Sequence, residues 1–197
     1  MTTPTFRDSV RGLLHDRLLD AAQEMTVNNG WATITMGKIA ASAGVSRQTV
    51  YNEFGNKQDL AEALVVRELA KFLDVVSTRL RSHEDVVAGL VSACEGALSF
   101  AEDNPLLKAA LASVHSGSNE LIPLLTTESQ LVIDAAVAAV VGTVNEHYGP
   151  IGLTQDELIV AVDVIVRLIL SHIMRPAETP AQVAEHIGWI ASKLLQQ

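Results

Sequence analysis

Cysteine is almost absent from this 197-residue chain. Its one residue, Cys94, excludes a disulfide framework or a zinc ribbon and suits a reducing compartment. Proline (6) and glycine (12) are also few, and 48% hydrophobic stands against 19% charged, which excludes a disordered tail, a collagen or a Pro-rich linker. Long uncharged apolar runs are missing. Asp134 breaks the stretch from Leu131 to Val144, and Asp163 with Arg167 breaks that from Leu158 to Leu170, so neither offers the ~18 uncharged residues of a membrane span. Residues 1–8 lack the apolar core of a signal peptide. The expectation is a soluble, cytoplasmic protein with no membrane partner.

Catalytic and metal motifs are missing too. The histidines, at 15, 83, 115, 147, 172 and 186, form neither His-Glu-x-x-His nor Glu-x-x-His. No Gly-x-x-x-x-Gly-Lys loop or Gly-x-Ser-x-Gly elbow occurs. An enzyme is therefore not expected, nor any metal or cofactor.

The net charge of −9 would argue against nucleic acid if it were evenly spread. It is not. Residues 1–60 carry six basic and six acidic groups, whereas residues 61–197 carry eight basic and seventeen acidic. An acidic body repels DNA, which leaves any contact with it to the neutral N-terminal piece.

Hydrophobic periodicity is helical nearly throughout, and no stretch alternates with period two. Residues 10–29 space Val10, Leu14, Leu18, Ala21, Ala22 and Met25 at helical intervals and stop at Asn28-Asn29-Gly30. Thr35 caps a short helix, and Asn56 a long one with Leu60, Leu64, Leu69, Phe72 and Val76 as its stripe. Another helix begins at Ser82 or His83, and Asn104-Pro105 restarts the chain for one that ends at Ser116–Asn119. A helix from about Glu120 to His147 follows. Thr154-x-x-Glu157 and Thr179-Pro180-x-Gln182 then read as capping boxes. The fold class is all-α, with about nine helices.

The informative segment is residues 35–57. Ile39, Ala40 and Ala43 give a first short helix an inner face, Gly44 suits a left-handed exit, and Val45 packs back on that helix. Ser46 caps a second helix with Val50 and Phe54 inside. This is helix-turn-helix geometry, in which the second helix enters the major groove. The exposed residues suit that use. Arg47 can reach guanine bidentately, Gln48 can pair with adenine, and Asn52 can reach base or phosphate. Thr49 and Tyr51 can donate to phosphates, and Lys57 adds charge at a helix N-terminus. Thr35, Lys38 and Ser46 complete the candidate DNA-binding set. On a packed hairpin the same residues would simply be solvated.

The pattern Ile39-Ala40-x-x-Ala43-Gly44-Val45-Ser46-x-x-Thr49-Val50-Tyr51-x-x-Phe54-x-x-Lys57-x-x-Leu60 resembles the DNA-binding domain of the TetR family of bacterial transcriptional regulators. Leu18–Ala22 and Asn29-Gly30-Trp31-x-x-Ile34-Thr35 fit the same pattern, so the likeness covers about residues 10–65. Two positions depart from it. Met25 replaces a usual aromatic, and Glu53 stands where a non-acidic residue is common near the DNA backbone. An acid there weakens affinity or points away from the phosphates.

The resemblance implies a head at residues 1–56 and a helical ligand-binding and dimerisation domain at 57–197. It also implies a homodimer that reads a palindromic operator in double-stranded DNA and is released by a small-molecule effector. The apolar run Leu158–Leu170 and the stripe Val183, Ile187, Ile190 and Leu194 fit two interface helices, with Leu158, Val162, Ile165 and Ile169 as the contacts of the first. An effector pocket in so aliphatic a body suits a lipid-like ligand, with Phe72, Phe100, His115, Asn145 and His172 as candidate lining. An apolar groove for a partner protein reads alike in sequence. Cys94, on an apolar helix, reads as a small core residue.

Overall fold

The computed structural model describes residues 6–113 and 130–196. Among them are nine α-helices and no strand: α1 (Phe6–Asn29), α2 (Met36–Ala43), α3 (Arg47–Phe54), α4 (Lys57–Leu80), α5 (Val86–Asp103), α6 (Pro105–Ser113), α7 (Gln130–His147), α8 (Gln155–Met174) and α9 (Pro180–Leu194). No helix among the described residues is long and apolar enough to cross a membrane.

Most boundaries follow from cap chemistry. Hydroxyls of Thr35, Ser46, Thr154 and Thr179 accept from backbone amides in the first turns of α2, α3, α8 and α9, the last two as full capping boxes. Asn56 Oδ1 accepts from the amides of Gln58 and Asp59 at the start of α4. The start of α5 differs from expectation. Its cap is Asp85, whose carboxylate accepts from the Ala88 amide at 2.8 Å, and Ser82 instead turns its hydroxyl to the Arg79 carbonyl and closes α4. α1 also begins earlier than its apolar spacing requires, at Phe6. The expected breaks at 116–119 and about 120 lie outside the described residues.

The chain forms two units, and the division falls inside α4, after Arg67. The first holds the described residues through Arg67 together with α6. Its core is built from Leu18, Leu19, Ile34, Ile39, Val50, Leu60, Leu64 and Leu106, all almost fully buried. On α4 the Arg67 guanidinium reaches back to α1, 2.7 Å from both Asp20 Oδ1 and Gln23 Oε1.

The second unit takes Glu68–Asn104 and the described residues from Gln130 on. At its centre α5 presents Ala93, Cys94, Ala97 and Leu98 to a cluster that includes Val76, Leu80, Val141, Val144, Leu158, Val162, Ile169, Val183 and Ile187. Small residues let helices approach closely here. A Cβ added at Gly188 of α9 would overlap the Val91 side chain of α5, and one at Gly89 would overlap the Tyr148 hydroxyl. That hydroxyl donates to the Leu80 carbonyl, where α4 ends.

Candidate nucleic-acid interface

In α2 and α3 the local sequence dictates the turn. Gly44 takes φ 67°, a left-handed conformation, and the amides of Gly44 and Val45 return to the Ala41 and Ala40 carbonyls at 3.3 and 2.9 Å. This Schellman arrangement stops α2 and redirects the chain. Ser46 then caps α3 by accepting from the Thr49 amide at 3.1 Å. Val50 and Phe54, one turn apart, bury the inner face of α3.

Each of the expected DNA contacts has a definite place. Gln48 and Asn52 are exposed and joined by a 2.8 Å hydrogen bond from Gln48 Nε2 to Asn52 Oδ1. At about 100° per residue they lie nearly opposite Val50 and Phe54. Arg47 is exposed too, but its side chain lies back over α2, with its Nε 3.3 Å from where a Cβ on Gly37 would sit. Thr49 is half-buried and shares a 2.9 Å contact between its Oγ1 and the Ser46 Oγ, whereas Tyr51 is exposed. Thr35 Oγ1 accepts from the Lys38 amide at 3.2 Å, and Lys38 donates its ammonium to the Thr33 carbonyl at 2.8 Å. Lys57 is half-buried, with its ammonium 5.2 Å above the Trp31 ring.

Sequence reasoning missed α1's part in this surface. The Glu53 carboxylate meets Arg11 Nε at 3.2 Å and His15 Nδ1 at 2.9 Å, and only 12% of its side chain is exposed. Four residues apart, Arg11 and His15 share one helix face, a pairing visible only once α1 is seen beside α3.

The body residues divide differently from expectation. Leu158, Val162, Ile169, Val183 and Ile187 are buried in the unit's own core, and Ile165 packs against that core. Those six thus contribute to the packing of their own unit. The large exposed apolar side chains are Ile159, Val160, Val164, Leu168 and Met174 on α8, and Trp189, Ile190 and Leu194 on α9. An all-apolar helix gives no periodic signal for which side faces its own core. Within its exposed side, Arg167 hydrogen-bonds Asp163 and holds that carboxyl below the usual range.

Of the expected ligand contacts, Phe72 and Phe100 meet edge to face, with ring centroids 5.9 Å apart. Beside them the buried Glu68 carboxylate accepts from Lys71 Nζ at 2.7 Å and Asn104 Nδ2 at 2.8 Å. Asn145 is exposed and bonds Gln155 at 3.2 Å, so it lines no apolar interior. His172 turns its ring to the Leu168 carbonyl. His115 lies outside the described residues. Burial pushes the Cys94 thiol up to about 12, the behaviour of a packed core residue.

An all-α chain with a capped helix-turn-helix and a polar outer face on its second helix defines a DNA-binding regulator. The comparisons agree. Residues 18–64 match a family model described as bacterial regulatory proteins of the tetR family, and residues 85–193 match the C-terminal domain of the bacterial tetracycline repressor. The HTH-type transcriptional regulator AlkX of Mycobacterium tuberculosis is 32% identical over 187 residues, covering 93% of this chain and 85% of the relative. The crystal structure of the TetR family repressor AlkX from Dietzia sp. strain DQ12-45-1b, implicated in biodegradation of n-alkanes, superposes with a TM-score of 0.73. It is 27% identical, and the match covers 92% of this chain and 95% of that one. FadR of Bacillus subtilis, solved in complex with stearoyl-CoA, shares the fold at a TM-score of 0.60 and 19% identity, over 92% of this chain and 97% of its own. The chain belongs to the TetR family of transcriptional regulators, which are DNA-binding proteins and not enzymes.

Proposed function

We propose that the chain acts as a homodimeric repressor that reads a palindromic operator and leaves it when an aliphatic, lipid-like effector enters the body. The observation that carries this reading is the arrangement of α3, whose outer face holds Gln48 and Asn52 while Val50 and Phe54 anchor it. Arg47, Gln48 and Asn52 are assigned to bases, and Thr35, Lys38, Ser46, Thr49, Tyr51 and Lys57 to the sugar-phosphate backbone or to holding α3 against it.

Two recognition helices about 34 Å apart are needed to read such a site, so a second copy is part of the proposal. The exposed apolar residues of α8 and α9 are assigned to it, since apolar groups in such number favour burial. The effector class rests on the aliphatic composition of the body, with Phe72 and Phe100 as candidate lining. The Dietzia relative implicated in n-alkane biodegradation adds weight. α4 spans the division between the units, so a shift of its body half reaches the head through one continuous helix. An effector that favours the released state by about 1–3 kcal/mol gives a useful response.

The test is selection of bound duplexes from a random library by the purified protein, followed by titration with long-chain alkanes, fatty acids and acyl thioesters. The expected result is a site with two-fold symmetry that one of these apolar classes releases. A selected site without symmetry, or one that no apolar compound displaces, would refute the corresponding half of the reading.

A further inference from the structure

α3 is eight residues long; Ser46 caps its start, two residues after Gly44 with φ 67° ends α2, and α3 itself ends at Gly55 with φ 74°. In so short a helix, rotation about its own axis depends on the side chains that tie it to its neighbours. Val50 and Phe54 fix its depth in the core. Neither makes a directional bond.

Among the described residues, Glu53 carries the side-chain hydrogen bonds that tie α3 to α1. On α3 it lies on the flank between the buried face and the face that carries Gln48 and Asn52. From α1, Arg11 donates to Oε2 at 3.2 Å and His15 Nδ1 meets Oε1 at 2.9 Å, so each carboxylate oxygen has its own partner. The His15 ring also packs on Phe54, with centroids 4.8 Å apart, and thus grips two successive residues of α3. Two fixed points on one carboxylate resist rotation where an apolar contact allows slip.

We propose that Glu53 is a positioning residue which, through Arg11 and His15, sets the rotation of α3 and thereby selects the bases that Gln48 and Asn52 reach. The proposal rests on the reading of α3 as the recognition helix. It also accounts for an acidic side chain in a segment that meets phosphates: the carboxylate is engaged by α1, and 12% of its side chain is exposed.

The experiment compares wild type, Glu53→Ala, Glu53→Gln, Arg11→Ala and the double variant Glu53→Ala/Arg11→Ala. Each is titrated with a duplex selected by the wild type and with a random duplex of equal length, at one salt concentration. Partial unfolding lowers both affinities alike, so the ratio of the two isolates positioning. The expected result for Glu53→Ala is a loss of about three- to ten-fold in that ratio, which lies in the lower part of the range of couplings between touching side chains. Glu53→Gln, which keeps an acceptor oxygen, should lose less. The double variant should lose no more of the ratio than Glu53→Ala does, because the contact is already gone. Equal gains on both duplexes for Glu53→Ala would mean that the carboxylate merely repels DNA, and would overturn the proposal. Equal losses on both for Arg11→Ala would leave the ratio unchanged and also overturn it. Should the wild type select no sequence at all, the recognition-helix reading fails and takes the proposal with it. A selected site whose ratio survives Glu53→Ala sinks the positioning role alone.

Discussion

Gln48 donates its side-chain amide to Asn52, one turn further along α3, at 2.8 Å. The bond draws the two amides together and leaves Gln48 Oε1 and Asn52 Nδ2 outside it. A preformed pair meets a base without first ordering two rotatable side chains. Gln48→Ala should therefore cost about 1–3 kcal/mol and relax selectivity mainly at one base pair of each half-site. Asn52→Ala should lower affinity there as well, because Gln48 loses its brace. Titration of single-base variants of a selected duplex checks both, and a uniform loss across the variants would place these residues on phosphates instead.

The exposed apolar side chains on α8 and α9 carry the prediction about assembly. Val164→Glu combined with Ile190→Glu puts charge on residues that are 52% exposed in the single chain, so folding should survive while the proposed dimer separates. Native mass spectrometry reads subunit count, and far-ultraviolet circular dichroism reads helicity. A doubly substituted protein that stays dimeric would move the interface elsewhere.

Gly188 is buried where α9 crosses α5, and a Cβ there would overlap Val91 Cγ2. Gly188→Ala should destabilise the body by about 1–3 kcal/mol through overpacking. Adding Val91→Ala should recover part of the loss, because it removes the atom struck. Urea midpoints of the single and double variants measure this, and independent, additive losses would contradict the steric account.

Cys94 makes a pH prediction whose sign is fixed by burial. Its folded pKa is raised to about 12, so its contribution to stability is fully present below the unfolded pKa of about 8.5. Above that the unfolded chain releases a proton that the folded chain keeps, and stability falls by up to about 1.4 kcal/mol per pH unit until the folded value is reached. Urea titrations of wild type and Cys94→Ala between pH 8 and 10 isolate the term, since only the wild type should carry this extra slope. In parallel, a thiol reagent at pH 8 should modify the native protein no faster than it unfolds.

The helix-turn-helix of the head was legible because its signals are local. Thr35 and Ser46 cap its helices by contacts within four residues, and Gly44 marks a turn that few other residues can make. What the sequence hid is what depends on distant segments. Leu158, Val162 and Ile169 look the same as Val160, Val164 and Leu168 in a run apolar on every side, and only the neighbouring helices decide which set is buried. Glu53 is similar: thirty-eight and forty-two residues separate it from His15 and Arg11, and no periodicity links them. The start of α5 was misplaced for a smaller reason. Ser82 and Asp85 are both competent caps, and the choice turned on the end of α4.

The two tryptophans sit one in each unit with opposite exposure. Trp31 in the head is 6% exposed, and Trp189 on α9 is 65% exposed. Unlabelled protein thus carries two optical reporters that a water-soluble collisional quencher tells apart. The quencher reaches the indole on α9 unless a second copy covers it. The emission of the other stays protected until the head opens, so assembly and head unfolding can be followed in one cuvette on the natural chain.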